Sequence, residues 1–108
     1  MRAIAFAGAA LLALATPAVA QLPQSVIDAC WSADTPEEAR VGYCTRVIGS
    51  GELAPKDLAG AYFKRGVAYH SLKQYDRAID DYSQAIRLDP NYAFAYNNRG
   101  NAYDDLKQ

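Results

Sequence analysis

Residues 59–90, AGAYFKRGVAYHSLKQYDRAIDDYSQAIRLDP, decide how the rest of the chain is read. Tyr62, Gly66 and Tyr69 are followed by Ala78, Tyr82 and Ala85, and the stretch closes on Pro90. Small residues fall where two helices must approach closely, and rings fall where the space between them must be filled. The pattern then restarts. Tyr96, Arg99, Gly100, Ala102 and Tyr103 restate Tyr62, Arg65, Gly66, Ala68 and Tyr69 at an offset of 34 residues. Leu106-Lys107-Gln108 repeats Leu72-Lys73-Gln74 at the same offset. Self-similarity at such a period predicts stacked helical hairpins, each too small to bury its apolar face alone.

Helix boundaries follow from local chemistry. Pro55 opens a helix whose apolar line is Leu58, Tyr62, Gly66, Tyr69 and Leu72, with the turn at Gln74. Tyr75 to Leu88 carries Ala78, Ile79, Tyr82, Ala85 and Ile86 on one face and stops at Asp89-Pro90, since the residue before a proline avoids helical backbone. Asn91 is expected to cap a further helix from about Tyr92 to Leu106. Upstream, a short helix carries Leu22, Val26, Ala29 and Cys30 on one side, with Trp31 beside them, and breaks at Ala33-Asp34-Thr35-Pro36. Thr35 as N-cap, Pro36 at the first helical position and Glu38 closing a capping box start the next helix. That helix places Val41, Cys44, Val47 and Ile48 together and ends at Gly49-Ser50-Gly51.

The order of aromatic, glycine, tyrosine, alanine, aromatic, alanine and proline at this period resembles the tetratricopeptide repeat. The resemblance covers about 58–108 well and 41–51 loosely, where Cys44-Thr45-Arg46-Val47-Ile48 lines up with Tyr82-Ser83-Gln84-Ala85-Ile86. Cys44 to Gly66 is 22 residues against 18 from Tyr82 to Gly100, so four extra residues sit in the connection 49–55. The expected fold is all-α, a short tetratricopeptide-like solenoid. It divides into a degenerate capping hairpin over 21–54 and a repeat region over 55–108. Within the latter, 59–92 is a complete repeat and 93–108 the first helix of another. That last helix is either a bare cap or the start of a longer array.

The first twenty residues read as a secretory signal peptide. Arg2 precedes an apolar run over 3–15, and Thr16-Pro17-Ala18-Val19-Ala20 ends in an Ala-Val-Ala site, so cleavage is expected after Ala20. The rival, a membrane anchor, needs roughly 20 apolar residues. Cleavage leaves an exported, periplasmic or secreted chain with no stable anchor. The whole chain has 11 basic and 12 acidic residues, and loss of Arg2 leaves 10 against 12. With both signs interspersed and no basic stripe, nucleic acid is an unexpected partner. Cys30 and Cys44, an even count in a small exported domain, favour a disulfide, against the alternative of two buried thiols. Bridging needs Cα atoms within roughly 7 Å. In an ideal antiparallel hairpin Cys44 would lie too far along its helix, so a steep crossing or a short first helix folded back is required.

No catalytic constellation is visible. The single histidine, His70, lacks an orienting partner in sequence and is read as a solvated helix residue. His and Cys are too few for a metal site, the acids Asp80-Asp81 and Asp104-Asp105 follow no calcium-loop spacing, and no cofactor is expected. What remains is a surface. The first helices of successive hairpins line a groove, with Phe63, Lys64, Val67, His70 and Ser71 from one and Phe94, Asn97, Asn98, Asn101 and Asp104 from the next. A carboxamide both donates and accepts, so an asparagine can hold an extended peptide backbone irrespective of its sequence. The resemblance implies peptide contact at Asn98 and Asn101; the alternative is a plain solvated face. Lys64 and Val67 depart from the family pattern at the equivalent places of the first unit. The candidate peptide-binding set is Lys64, Val67, Asn97, Asn98 and Asn101. Arg65 and Arg99 are expected to lay their stems along the helix seam with guanidinium groups outward. Tyr62, Tyr69, Tyr82, Tyr96 and Tyr103 are expected in the core. The reading is a non-enzymatic module that binds a protein or peptide partner. The alternative is a structural subunit that self-assembles through its uncovered last helix.

Overall fold

The computed structural model describes residues 21–108; the expected signal peptide, 1–20, lies outside the described residues. Five helices follow in order: α1 (Gln24–Trp31), α2 (Glu37–Gly49), α3 (Pro55–Ser71), α4 (Tyr75–Leu88) and α5 (Ala93–Lys107). There is no strand among the described residues. Each helix packs on its chain neighbour, and weaker contacts join α1 to α3 and α3 to α5, as a stack of hairpins requires.

The termini show where local chemistry decided and where tertiary contacts did. Pro55 stands at the start of α3, as proline's fixed φ favours. The turn after α3 is a Schellman closure. Lys73 donates to the His70 carbonyl and Gln74 to the Tyr69 carbonyl, with Lys73 itself in left-handed backbone at φ 62°. Gly51, at φ 73°, reverses the chain after α2, where Ser50 Oγ accepts from the Glu52 amide. Two expected caps do not form. Pro36, in extended backbone, is the N-cap of α2, so the Thr35–Glu38 box has no helix end to close. The Thr35 carbonyl instead accepts from Arg40 Nη2, which also reaches the Ser32 carbonyl at 2.9 Å. This buried arginine therefore ties down the α1–α2 loop. Likewise Tyr92, not Asn91, is the N-cap of α5, and the Asp89 carboxylate accepts from the Asn91 amide to shape the turn.

Three apolar clusters run along the stack. Val26, Cys30, Cys44, Val47 and Ala61 join α1, α2 and α3, with Trp31 and Leu53 against them. Cys30 and Cys44 are bonded, with Cα atoms 4.8 Å apart. The geometric difficulty is met by the short first helix: α1 ends one residue past Cys30, and the five-residue link 32–36 folds it back over the middle of α2. The second cluster centres on Ala78, Ile79, Tyr82 and Ala102, the third on Ala59, Ala85 and Ala95. Phe63 joins both, its ring 5.8 Å from Tyr82 and 5.1 Å from Tyr92. Alanines dominate because the helices approach closely, and Gly66 marks the tightest approach. A Cβ there would stand 2.7 and 2.9 Å from ring carbons of Tyr82.

The tyrosines divide. Tyr82 is fully buried, Tyr62 and Tyr69 are half-buried, and Tyr96 and Tyr103 are exposed. The expectation of five core tyrosines therefore fails for the last two. They lie on a face of α5 that no described helix covers.

Candidate functional site

The seam between units is built around two arginines. Arg65 sends Nε and Nη2 to the two oxygens of Asp81, each at 2.8 Å, and Nη1 to Thr45 Oγ1 at 3.0 Å. Its guanidinium is turned inward to α4 and α2, correcting the outward placement read from the sequence. The planar fork matches a carboxylate bidentately, and only a partner on α4 supplies one. Burial pushes the Asp81 carboxyl up, with the Arg65 bonds pulling the other way, while the bond to Asp81 raises the guanidinium further. The guanidinium also lies over the Tyr62 and Tyr69 rings, at 5.6 and 5.8 Å.

Arg99 repeats part of this arrangement. It stacks over Tyr96 at 5.7 Å and donates from Nη1 to Ser83 Oγ at 3.1 Å. Arg65 reaches back 20 residues to its hydroxyl and Arg99 reaches back 16. The difference equals the four-residue excess in the connection 49–55.

His70 is not the solvated residue its sequence context suggests. Its Nε2 lies 2.6 Å from Asp105 Oδ2 and its Nδ1 3.4 Å from the Tyr82 hydroxyl, and Tyr75 meets its ring edge-on at 5.4 Å. A hydroxyl that donates to Nδ1 leaves Nε2–H to donate to Asp105, so one ring ties α3, α4 and α5. An acid–imidazole–hydroxyl series resembles a proton relay. Here the hydroxyl belongs to a fully buried tyrosine that no substrate can reach. Burial pushes the Tyr82 phenol up to about 12, against an opposing hydrogen bond from Asn98. The offset of 35 residues between His70 and Asp105 crosses two helices, and no sequence periodicity marks it.

The candidate peptide-binding residues separate into two groups. Val67 packs against the cluster of Ala78, Ile79, Tyr82 and Ala102, and Asn98 is half-buried. Asn97 and Asn101 are exposed, three and seven residues after Phe94 on the same side of α5, and Lys64 is half-exposed on α3. Phe94, at 71% exposure, is the most exposed large apolar side chain among the described residues. Phe63 is held by Tyr82 and Tyr92. At the α1 end, Trp31 covers Gly60, where a Cβ would stand 3.3 Å from its ring. Among the described residues no cluster of three His, Cys, Asp or Glu side chains is placed to hold a metal ion, and no helix is long and apolar enough to cross a membrane.

Antiparallel helical hairpins stacked at a 34-residue repeat, joined by recurring arginine–hydroxyl contacts, define a helical-repeat scaffold. The family model of the TPR repeat matches residues 66–106, so this region carries the tetratricopeptide-repeat pattern. A chloroplastic tetratricopeptide repeat domain-containing protein of Arabidopsis thaliana is 38% identical over 53 residues, which is 49% of this chain. The match spans 18% of that relative's length. No solved structure matches the chain. Repeats of this family generally mediate protein–protein interaction.

Proposed function

We propose that this is an exported binding module that takes an extended segment of a partner protein along the first-helix faces of its repeats. The observation that carries the reading is the open row of Phe94, Asn97 and Asn101 on α5. An exposed ring offers an apolar anchor, and the two carboxamides offer paired donors and acceptors to a peptide backbone. Lys64 on α3 adds a cation at the neighbouring unit. The hairpin of α1 and α2 is a degenerate end unit of the array, a reading supported by the matched Arg65–Thr45 and Arg99–Ser83 contacts. Export is supported by the leader-like first twenty residues and by the bonded Cys30–Cys44 pair, which suits an oxidising compartment. Binding is the function, with no chemical step.

Selection from a displayed library of random dodecapeptides tests this. The selected peptides are expected to lose about tenfold in affinity on Asn97→Ala or Asn101→Ala, as loss of one or two good hydrogen bonds implies. Peptides that bind the double variant as tightly as the parent chain would refute the reading.

A further inference from the structure

The first helices of the two units, α3 and α5, differ on one face only. Over 59–72 and 93–106 every difference falls at 60, 63, 64, 67, 70 and 71 and their equivalents 34 residues on, a spacing that keeps to one side of a helix. At the first of these places α5 carries Phe94 and α3 carries Gly60. The gap left by Gly60 is filled from α1. The half-buried Trp31 ring lies so close that a Cβ on Gly60 would stand 3.3 Å from its Cζ2. A ring therefore stands at this place in both units, Phe94 on its own backbone and Trp31 carried in by the capping helix. The bond from Cys30, the residue before Trp31, to Cys44 holds that end of α1 in position. Gly60 is met by the helix that precedes α3, so this place in a unit faces back along the array. Phe94 has its own preceding first helix, α3, beside it and still stands 71% exposed.

We infer that Trp31 is the first-unit anchor of the groove, and that the partner segment is a polyproline-II stretch with two apolar side chains three residues apart. One side chain meets Trp31 and the other Phe94. The inference rests on the reading of the α5 row as a peptide-binding face. Packed helices lie about 8–10 Å apart, which sets the separation of equivalent places on α3 and α5. A polyproline-II chain turns once in three residues, so side chains three apart point the same way and are separated by about 9 Å. A β-strand, with its period of two, would turn the second side chain away from the groove at that distance. Polyproline II also makes no internal hydrogen bonds, which leaves its backbone groups to the carboxamides of Asn97 and Asn101. Aromatic-lined grooves suit such a segment because its backbone is ordered before it binds.

The test uses the full chain, whose single tryptophan makes its emission a report on Trp31 alone. The probe is a synthetic peptide with the core Leu-Pro-Ala-Leu between proline and serine flanks. A saturable change in emission is expected, together with amide shifts at Phe94, Asn97 and Asn101. Serine in place of either leucine should weaken binding about tenfold, and so should one extra residue between them. Phe94→Ala should abolish discrimination at one leucine and keep it at the other, and Trp31→Ala should do the reverse. If the tryptophan variant does not fold, the emission titration and Phe94→Ala decide. Library-selected peptides that perturb Phe94, Asn97 and Asn101 but leave the emission unmoved would overturn the role of Trp31 and leave the groove reading standing. Equal affinity of the spaced and unspaced peptides would overturn the polyproline-II register. A chain that binds no peptide at the row would overturn both readings together.

Discussion

Gly66→Ala and Gly100→Ala are the same substitution in the same local sequence, yet the packing assigns them opposite signs. Both gain helix propensity, about 0.8–1.0 kcal/mol for alanine over glycine in a helix interior. At Gly100 the new methyl meets nothing within 4 Å, so the gain stands alone. At Gly66 the methyl would lie 2.7 and 2.9 Å from two ring carbons of Tyr82, which is fully buried and cannot swing away. Forcing α3 from α4 there also stretches the Arg65–Asp81 pair. Overpacking of this kind costs about 1–3 kcal/mol, which offsets the propensity gain and leaves a net loss of up to about 2 kcal/mol. In a domain of this size 1 kcal/mol moves the melting temperature by about 4–8 °C. Thermal and urea unfolding followed by circular dichroism at the helix band should therefore show Gly100→Ala melting higher than the parent chain and Gly66→Ala lower. Shifts of the same sign and size would refute the account of the α3–α4 seam.

Three further outcomes follow from the same geometry. Reducing the Cys30–Cys44 bond should cost about 2–5 kcal/mol and lower the melting temperature; a melt unchanged by reductant would show that the link between α1 and α2 is not stabilising. Tyr82 has its folded pKa raised to about 12 from 10.0. The folded state thus holds a proton that the unfolded state has lost in this window, and stability falls as pH rises from 10 through 12. Two units correspond to at most about 2.7 kcal/mol, and stability curves across that range should be steeper for the parent chain than for Tyr82→Phe. Lys73, in left-handed backbone at the close of α3, should stabilise by about 0.5–1 kcal/mol when replaced by glycine, measurable as a higher urea midpoint.

Much of this fold was legible because the repeat writes its packing into residue size. Gly66 and Tyr82 form an interlocking pair that any reading of the 34-residue period finds, and α3 and α4 fall within a residue or two of their expected bounds. The caps expected at Thr35 and Asn91 fall one residue further on, at Pro36 and Tyr92, because contacts made elsewhere shape these turns. Arg40 had drawn its loop carbonyls together, and Asp89 had taken the Asn91 amide. No local pattern points Arg65 inward, since its partner Asp81 sits beside Asp80 in what reads as a solvated acidic pair. His70 was hidden for a similar reason: its partners Tyr82 and Asp105 belong to two other helices. At the candidate groove, Val67 and Asn98 share helix faces with the open residues but sit nearer the seam. A pattern of spacings does not separate the two when helices cross at an angle.

The central claim is that partner segments lie along the open row of α5. Mapping a library-selected peptide onto the labelled chain by amide shift perturbation tests it directly. Perturbations gathered on Lys64, Phe94, Asn97 and Asn101 are the predicted result. Perturbations gathered on the outer faces of α2 and α4, with that row unmoved, would contradict it.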